Sequence, residues 1–441
     1  LAGWLPCPLP PTLIVDLHPT EFSSMPEVAP FQAIRYDFSR NTDLSSLIAP
    51  PYDVLDDADK AALLARSDRN IVAIDLPHTP PKSAGPPQAY RRSADLLQAW
   101  LTDRTLVRED RPALYLYHQV FEHEGRTYTR KKLIARVRLH LFEEGVILPH
   151  EQTFGGPKED RLALMKATAC NLSPVFGLYA DPQGTIEKAF ATVASTKPSA
   201  VGTLEDVQSR IWIVAEPPVI GTVVAAMADR RVFIADGHHR YDTALMYRDW
   251  VTGQHGGSLP PDHPANYVMF VLASMDDPGC LILPYHRALA GIDLSTLVEA
   301  WSDGCSSCNE ADADLIAVDG STGRRAPLKF TTRAVLKTLA PNQCEAWRAL
   351  DMAYLHRYLI DELLHAGGRA GRGPDDPTVR FVKSQEAAMR TARDERGVAL
   401  LVRATPMEHL RAVSEASELM PQKSTYFYPK LITGLTINPL L

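Results

Sequence analysis

A short apolar run, Arg231-Val-Phe-Ile-Ala235, stops at Asp236-Gly237 and gives way at once to a helical pattern from His238 to Trp250. In that helix Tyr241, Ala244 and Leu245 recur at i, i+3 and i+4, one apolar face. The apolar run reads as a short buried strand that breaks straight into the helix. Alternating segments extend the pattern. Ala113 to Phe121 and Thr127 to Leu139 alternate like strands around a Glu122–Arg126 turn, a β-hairpin by pattern. Pro174–Tyr179, Arg210–Val214, Tyr267–Leu272, Cys280–Leu283, Thr378–Val382 and Val398–Arg403 read as further strands, and Ala89–Leu101, Arg161–Ala169, Val219–Ala228 and Leu350–Leu364 as helices. The predicted class is α/β, or α+β with mixed sheets.

Punctuation divides the chain. There are 35 prolines in 441 residues, about 8% against a usual level of about 5%. Residues 1–30 are proline-rich without periodicity and are expected to form a loose arm. Ala49-Pro-Pro-Tyr-Asp-Val-Leu55 predicts a rigid turn into a helix from Asp57, with Tyr52 and Asp53 turn residues by default. Gly155-Gly-Pro-Lys-Glu159 predicts a loop before the helix at Arg161, and His365–Pro377, which contains Gly368-Arg-Ala-Gly371, predicts another. Thr405-Pro-Met-Glu408 has the order of a capped helix start. Three bodies are expected beyond the arm: 31–140, 141–295 and 296–441.

Charge and cysteine usage bound the function. Lys and Arg number 46 against 53 Asp and Glu, a net charge of −7. That argues against duplex nucleic acid as partner, yet leaves room for a local phosphate pocket. The longest apolar stretch, Pro217 to Ala228, is short of the roughly 18–20 residues that cross a bilayer. No Lys or Arg precedes Arg35, unlike a secretory leader, and six cysteines in a chain this long make no disulfide scaffold. A cytoplasmic, reducing setting is the expectation. The Cys305-Ser-Ser-Cys308 spacing, expected in a loop, lacks a second CxxC for zinc, and no GxxxxGK[ST] loop exists.

Three segments carry chemistry. In Ile234-Ala-Asp-Gly-His-His-Arg-Tyr241, Gly237 permits a tight turn, and the helix N-terminus offers N–H groups to an anion. His238, His239 and Arg240 add donors, and Asp236 could orient a histidine, hold a metal or cap the helix. The bland alternative is an ordinary helix cap with surface His and Arg. In Leu148-Pro-His-Glu-Gln-Thr153, a carboxylate held near a phosphate could take a proton from a hydroxyl, although a His-Glu pair also arises by chance. Lys158, Asp160 and Arg161, just downstream, suit either a site or a salt-bridged surface. In Met420-Pro-Gln-Lys-Ser-Thr-Tyr-Phe-Tyr-Pro-Lys430, Lys423, Ser424, Thr425 and Lys430 suit phosphate or carboxylate contacts. The same residues fit a terminal strand with Tyr426 and Tyr428 on one face and Phe427 on the other. Pro284-Tyr-His-Arg287 either joins the pocket or ends a strand.

Taken in order, Pro149-His-Glu-Gln152, Asp236-Gly-His-His-Arg240 and Lys423-Ser-Thr425 resemble the free L-serine kinases of the ParB/sulfiredoxin-like superfamily. From Phe31 to Leu435 the chain also resembles the family known as domain of unknown function 1015, through Pro50-Pro-Tyr-Asp-Val54, Ala235–Tyr241 and Lys423–Lys430. The kinase resemblance implies a ParB/sulfiredoxin-like nucleotide- and phosphate-binding domain at 141–295, with additional N- and C-terminal α/β domains, the last completing the pocket. It implies Glu151 as catalytic base with His239 beside it. Asp236, Gly237, His238, His239 and Arg240 would grip nucleotide phosphates, and His150, Lys423, Ser424, Thr425 and Lys430 the substrate. The expected cofactors are ADP or ATP with Mg²⁺. The expected partner is a small molecule with a hydroxyl, such as serine or a related hydroxy acid. Where the kinase pattern has Arg-His after its last Thr, this chain has Tyr426-Phe427, so the acceptor can differ. Two alternatives remain: a ParB-like nucleotide-binding regulator, and a metal-dependent hydrolase using His150, Glu151, His238 and His239. Oligomeric state and the particular metal are left open.

Overall fold

The alternating run after Ala113 forms the longest pair of strands in the protein. The computed structural model describes residues 25–81, 83–153, 155–364 and 379–441. The predicted arm before residue 25 and the whole of the predicted 365–377 loop lie outside the described residues. Strand β1 (Val28–Ala29) is followed by β2 (Leu114–His123) and β3 (Arg126–Arg138), paired antiparallel out to His123↔Arg126. Glu124 and Gly125 make the turn, both at positive φ (49° and 71°), as a two-residue hairpin of matching twist requires.

Neighbouring residues of the hairpin enter different cores. Tyr115, Tyr117 and Ile134 pack with Phe176 and Phe427, whereas Leu114, Leu116 and Leu133 pack with Trp212 and Phe270. The sheet is therefore covered on both faces, as alternate side-chain directions demand. Its other strands are β4 (Ile147–Leu148), β5 (Val175–Tyr179), β6 (Ala200–Leu204), β7 (Val207–Val214), β8 (Val232–Asp236) and β9 (Tyr267–Ser274). The order is β4-β8-β5-β9-β3-β2-β7-β6, with β1 on β3. β4 runs parallel to β8 and β5 parallel to β9; the remaining pairs are antiparallel. This is the expected mixed α/β class. The line drawn between 31–140 and 141–295 crosses the sheet, because β3 is hydrogen-bonded to β9 from Lys132↔Ala273 to Arg138↔Tyr267.

A second, antiparallel sheet holds the C-terminal third. It contains β11 (His286–Leu289), β12 (Cys305–Ser307), β13 (Leu315–Asp319), β14 (Arg325–Phe330), β15 (Val379–Val382) and β16 (Val398–Val402), in the order β12-β14-β13-β16-β11-β15. Between the sheets, β10 (Leu281–Leu283) pairs with β17 (Tyr426–Tyr428). The chain end then returns to the N-terminal segment, bridging Ala49↔Thr433 and Ile34↔Ile437. Motifs at opposite ends of the sequence thus become neighbours.

Four helices matter for the site: α1 (Asp57–Arg66), α2 (Pro87–Thr102), α3 (Gly155–Thr168) and α4 (His238–Gln254). α3 packs on both α2 and α4.

Several local expectations need correction. Order begins before Phe31, because Val28 and Ala29 pair with Val137 and Arg136. α3 starts at Gly155 rather than Arg161. Pro157 falls in its first turn, where the missing N–H costs no helical bond. Cys305 lies in a strand rather than a loop. Thr405 caps nothing: its hydroxyl donates to the Ser424 carbonyl (2.8 Å), and the helix begins at Met407 with no side-chain cap.

Candidate functional site

β8 leaves the sheet at Asp236, where its register with β5 shifts. Gly237 then turns the chain at φ 89°, and α4 starts with no side-chain cap. A Cβ at Gly237 would stand 2.8 Å from Arg240 Nε and 2.9 Å from its Cζ. Only glycine meets both demands, so this helix N-terminus stays narrow and available to an anion. Gly237→Ala is expected to lower stability by about 1–3 kcal/mol, the cost of a non-glycine residue held in that region. Denaturant unfolding checks this, and an unchanged midpoint would mean the turn accepts a side chain.

The two other motifs fold onto this turn. His150 is buried, and its Nδ1–H donates to the Ile234 carbonyl (2.6 Å). That contact fixes the tautomer, so Nε2 is an acceptor and receives the Thr425 hydroxyl at 2.9 Å. The His150 backbone N–H donates to His238 Nε2 (3.3 Å), and the two rings meet edge to face at 4.7 Å. Burial holds His150 below the usual histidine range, against the pull of Glu151, and pushes His238 much further down. Both rings are neutral at pH 7 and offer hydrogen bonds rather than charge. Next to them the Lys423 N–H donates to Glu151 Oε1 (3.3 Å), and the Met420 N–H to the His150 carbonyl (2.8 Å).

Ion pairs complete the site. Lys430 Nζ stands 2.6 Å from Asp236 Oδ2, and Arg240 Nη2 3.6 Å from Oδ1. Burial alone would raise the Asp236 carboxyl; Lys430 first, then Arg240, outweigh it and hold it well below the carboxylate range. Lys430 shows the reverse balance, with burial opposing its charge and Asp236 sustaining it above the lysine range. Arg240 is buried and donates to the Pro174 carbonyl, so much of its hydrogen bonding faces inward. His239 is half-buried at the rim; burial lowers it, while Glu151, Asp242 and Asp53 favour its charged form. Ser424 faces inward too, its hydroxyl donating to the Pro421 carbonyl.

Glu151, Asp236, His239, Lys423, Thr425 and Lys430 thus gather around one helix end, with His150, His238, Arg240 and Ser424 bracing them. The uncapped helix end, with Lys430, His239 and Glu151 near it, has the group mix that suits a phosphate with a base beside it. Among the described residues no three His, Cys, Asp or Glu side chains are grouped to hold a metal ion.

Residues 28–353 match the model of the family described as Protein of unknown function (DUF1015). The chain belongs to the DUF1015 family. Curated proteins give no match. Solved structures similar to it include a free serine kinase in complex with AMP, 12% identical, with a TM-score of 0.32, covering 66% of this chain and 89% of that one. Another is SbnI with C-terminal truncation from Staphylococcus aureus, 13% identical, with a TM-score of 0.35, covering 70% and 87%.

Four residues of this DUF1015 chain at the site escaped sequence reasoning or were left undecided. Arg287 is fully buried, and its Nη2 donates to the Lys423 carbonyl (3.0 Å), which ties the 420s segment to β11. Burial pushes this guanidinium down to about 9. Tyr285, raised to about 12 by burial, feels Lys430, Asp236, Tyr426 and Glu151. Lys383 lies 5.5 Å from the Tyr426 ring and carried no motif. Tyr52 of the DUF1015 Pro-Pro-Tyr-Asp-Val segment lies under the Arg161 guanidinium (3.9 Å). Arg161 in turn pairs with Asp160 and Asp75, all buried, so these charges form an interior network rather than a surface one. Lys158 instead pairs with Asp242 on α4 (3.2 Å).

No helix among the described residues is long and apolar enough to cross a membrane.

Proposed function

We propose that this chain is a small-molecule kinase. It moves a phosphoryl group from ADP or ATP to a hydroxyl of a small metabolite, such as serine or a related hydroxy acid. The observation that carries the reading is the meeting of Glu151 with Lys423 across the open N-terminus of α4, 272 residues apart in sequence. The nucleotide's phosphates lie at the Gly237 turn, on the first N–H groups of α4. The acceptor oxygen attacks the terminal phosphorus, and the bond from phosphorus to the bridging oxygen breaks. The hydroxyl proton passes to Glu151, and the nucleotide leaves one phosphate shorter. His239 and Lys423 steady the charge on the moving group, and His150 holds the Thr425 hydroxyl toward the substrate. Mg²⁺ bound with the nucleotide would neutralise phosphate charge; Asp53, which has no ion pair among the described residues, is the carboxylate that would hold it, leaving Glu151 free to act as base.

The test is phosphorus NMR of the protein with ATP or ADP, Mg²⁺ and a panel of amino and hydroxy acids. A new phosphomonoester resonance is expected, matched by the shortened nucleotide. Nucleotide binding without any phosphorylated product favours the regulator instead. The hydrolase reading has less support, since His150 uses both ring nitrogens internally and His238 Nε2 accepts from the His150 backbone.

A further inference from the structure

Beside Lys430 opens a cavity of about 240 Å³. Its walls come from three distant parts of the chain: the Pro50–Asp59 segment, the β6–β7 turn, and Tyr426 to Ile432, with Lys383 at one side. Two ammonium groups serve it. Lys430 Nζ is 5.4 Å from the Tyr426 ring centre and Lys383 Nζ 5.5 Å, so both ammonium groups stand beside the same aromatic ring. Lys430 gives one contact to Asp236 and has three donors. Lys383 is exposed and has no hydrogen bond or ion pair among the described residues. Pro50, Pro51, Leu55 and Tyr428 supply flat or apolar wall. Two exposed carboxylates, Asp59 and Glu205, stand at the outer rim.

We propose that this cavity binds a small monocarboxylate with a ring-sized apolar body. The carboxylate lies on Lys383 and Lys430, and the body lies against the prolines and Tyr428. Size sets the body: an apolar cavity of about 150 Å³ holds benzene, so this one has room for a ring and a carboxylate together. Charge sets the number of anionic groups. The two lysines attract one, whereas Asp59 and Glu205 in the same lining repel a second, which disfavours dicarboxylates and polyphosphates. The groups that face Lys383 are consistent with this. Partial desolvation lowers it, Lys430 and Lys423 add to the effect, and Asp53 and Asp236 oppose it. The cavity shares Lys430 with the Asp236 turn, so its occupant lies next to the proposed phosphate site. That it serves as the acceptor rests on the kinase reading; that it binds does not.

Titration calorimetry of the full chain tests the binding without nucleotide. The probes are mandelate, lactate (no ring), benzyl alcohol (no carboxylate) and phenylsuccinate (two carboxylates). Mandelate is expected to bind at least about tenfold tighter than the other three, the worth of one charge-assisted hydrogen bond or one buried ring. Lys383→Met, at an exposed position, should weaken mandelate by about the same factor with an unchanged melting temperature. Lactate, benzyl alcohol or phenylsuccinate binding as tightly as mandelate overturns the proposal, as does undiminished binding by Lys383→Met or no binding at all. The probe series on the unaltered protein decides even if the variant is unstable. Mandelate binding without phosphoryl transfer to any acceptor leaves this site standing and removes the kinase reading. Transfer to another acceptor without mandelate binding does the reverse.

Discussion

Glu151→Gln is expected to lower kcat for phosphoryl transfer by about 10²–10⁴-fold, the usual contribution of a positioned general base. Nucleotide affinity and melting temperature should barely move. Glu151 Oε1 accepts the Lys423 N–H at 3.3 Å, and a glutamine oxygen can accept the same bond. The turn through Lys423, which has φ 55°, is therefore preserved while the proton acceptor for the substrate disappears. Glu151→Ala removes both. It should match the loss in kcat and also destabilise the chain by about 1 kcal/mol, as for one lost hydrogen bond. Single-turnover transfer with saturating nucleotide separates the effects. If Glu151→Gln keeps a rate within a few-fold of the unaltered chain, the proton goes elsewhere, and His239 at the rim is the next group to substitute.

The parts of this site that could be read from the sequence are those with a local physical signal. The strand–turn–helix switch at Asp236-Gly237 was legible because an apolar run, a glycine and an amphipathic period follow one another within a few residues. The hairpin was legible for the same reason. Pairings set by tertiary approach were not. Nothing near Lys430 announces Asp236, which lies 194 residues away. Ser424 resembled a phosphate ligand because it stands between a lysine and a threonine, yet its hydroxyl closes its own turn. Thr405 had the order of a helix cap, but tertiary packing offered its hydroxyl the Ser424 carbonyl instead. Arg161 followed a charged pair and suited a site or a salt-bridged surface equally, whereas Asp160, Asp75 and the Tyr52 ring draw it into the interior. Lys383 follows a strand with no pattern around it, and only the folding of the second sheet against the chain end brings it beside Tyr426.

Asp236→Asn should produce the largest loss of stability at the site. The change leaves the Lys430 ammonium and the Arg240 guanidinium close together without their shared carboxylate. Removing one partner of a buried pair costs about 3–5 kcal/mol. The Asp236 side chain keeps 19% of its surface exposed, so solvent screening moves the expectation to the low end, about 3 kcal/mol. The effect must also depend on pH in a definite direction. The folded carboxyl titrates below its unfolded value of about 3.9. Its stabilisation is then fully present above about pH 5, and below about 3.9 it declines by about 1.4 kcal/mol per pH unit until the folded group is protonated. Unfolding midpoints of the two chains should therefore differ most near neutrality and converge as the pH falls toward 3. Lys430→Met tests the same pair from the other side. The double variant with Asp236→Asn should be less destabilised than the sum of the singles, since the second substitution removes a charge that the first left unpaired. Two stability curves that stay parallel from pH 7 to pH 3 would show that Asp236 does not hold the chain end through its charge, and the junction of the Lys430 segment with the α4 turn would then rest on the Gln119 bond to the Lys430 carbonyl (3.0 Å) and on packing.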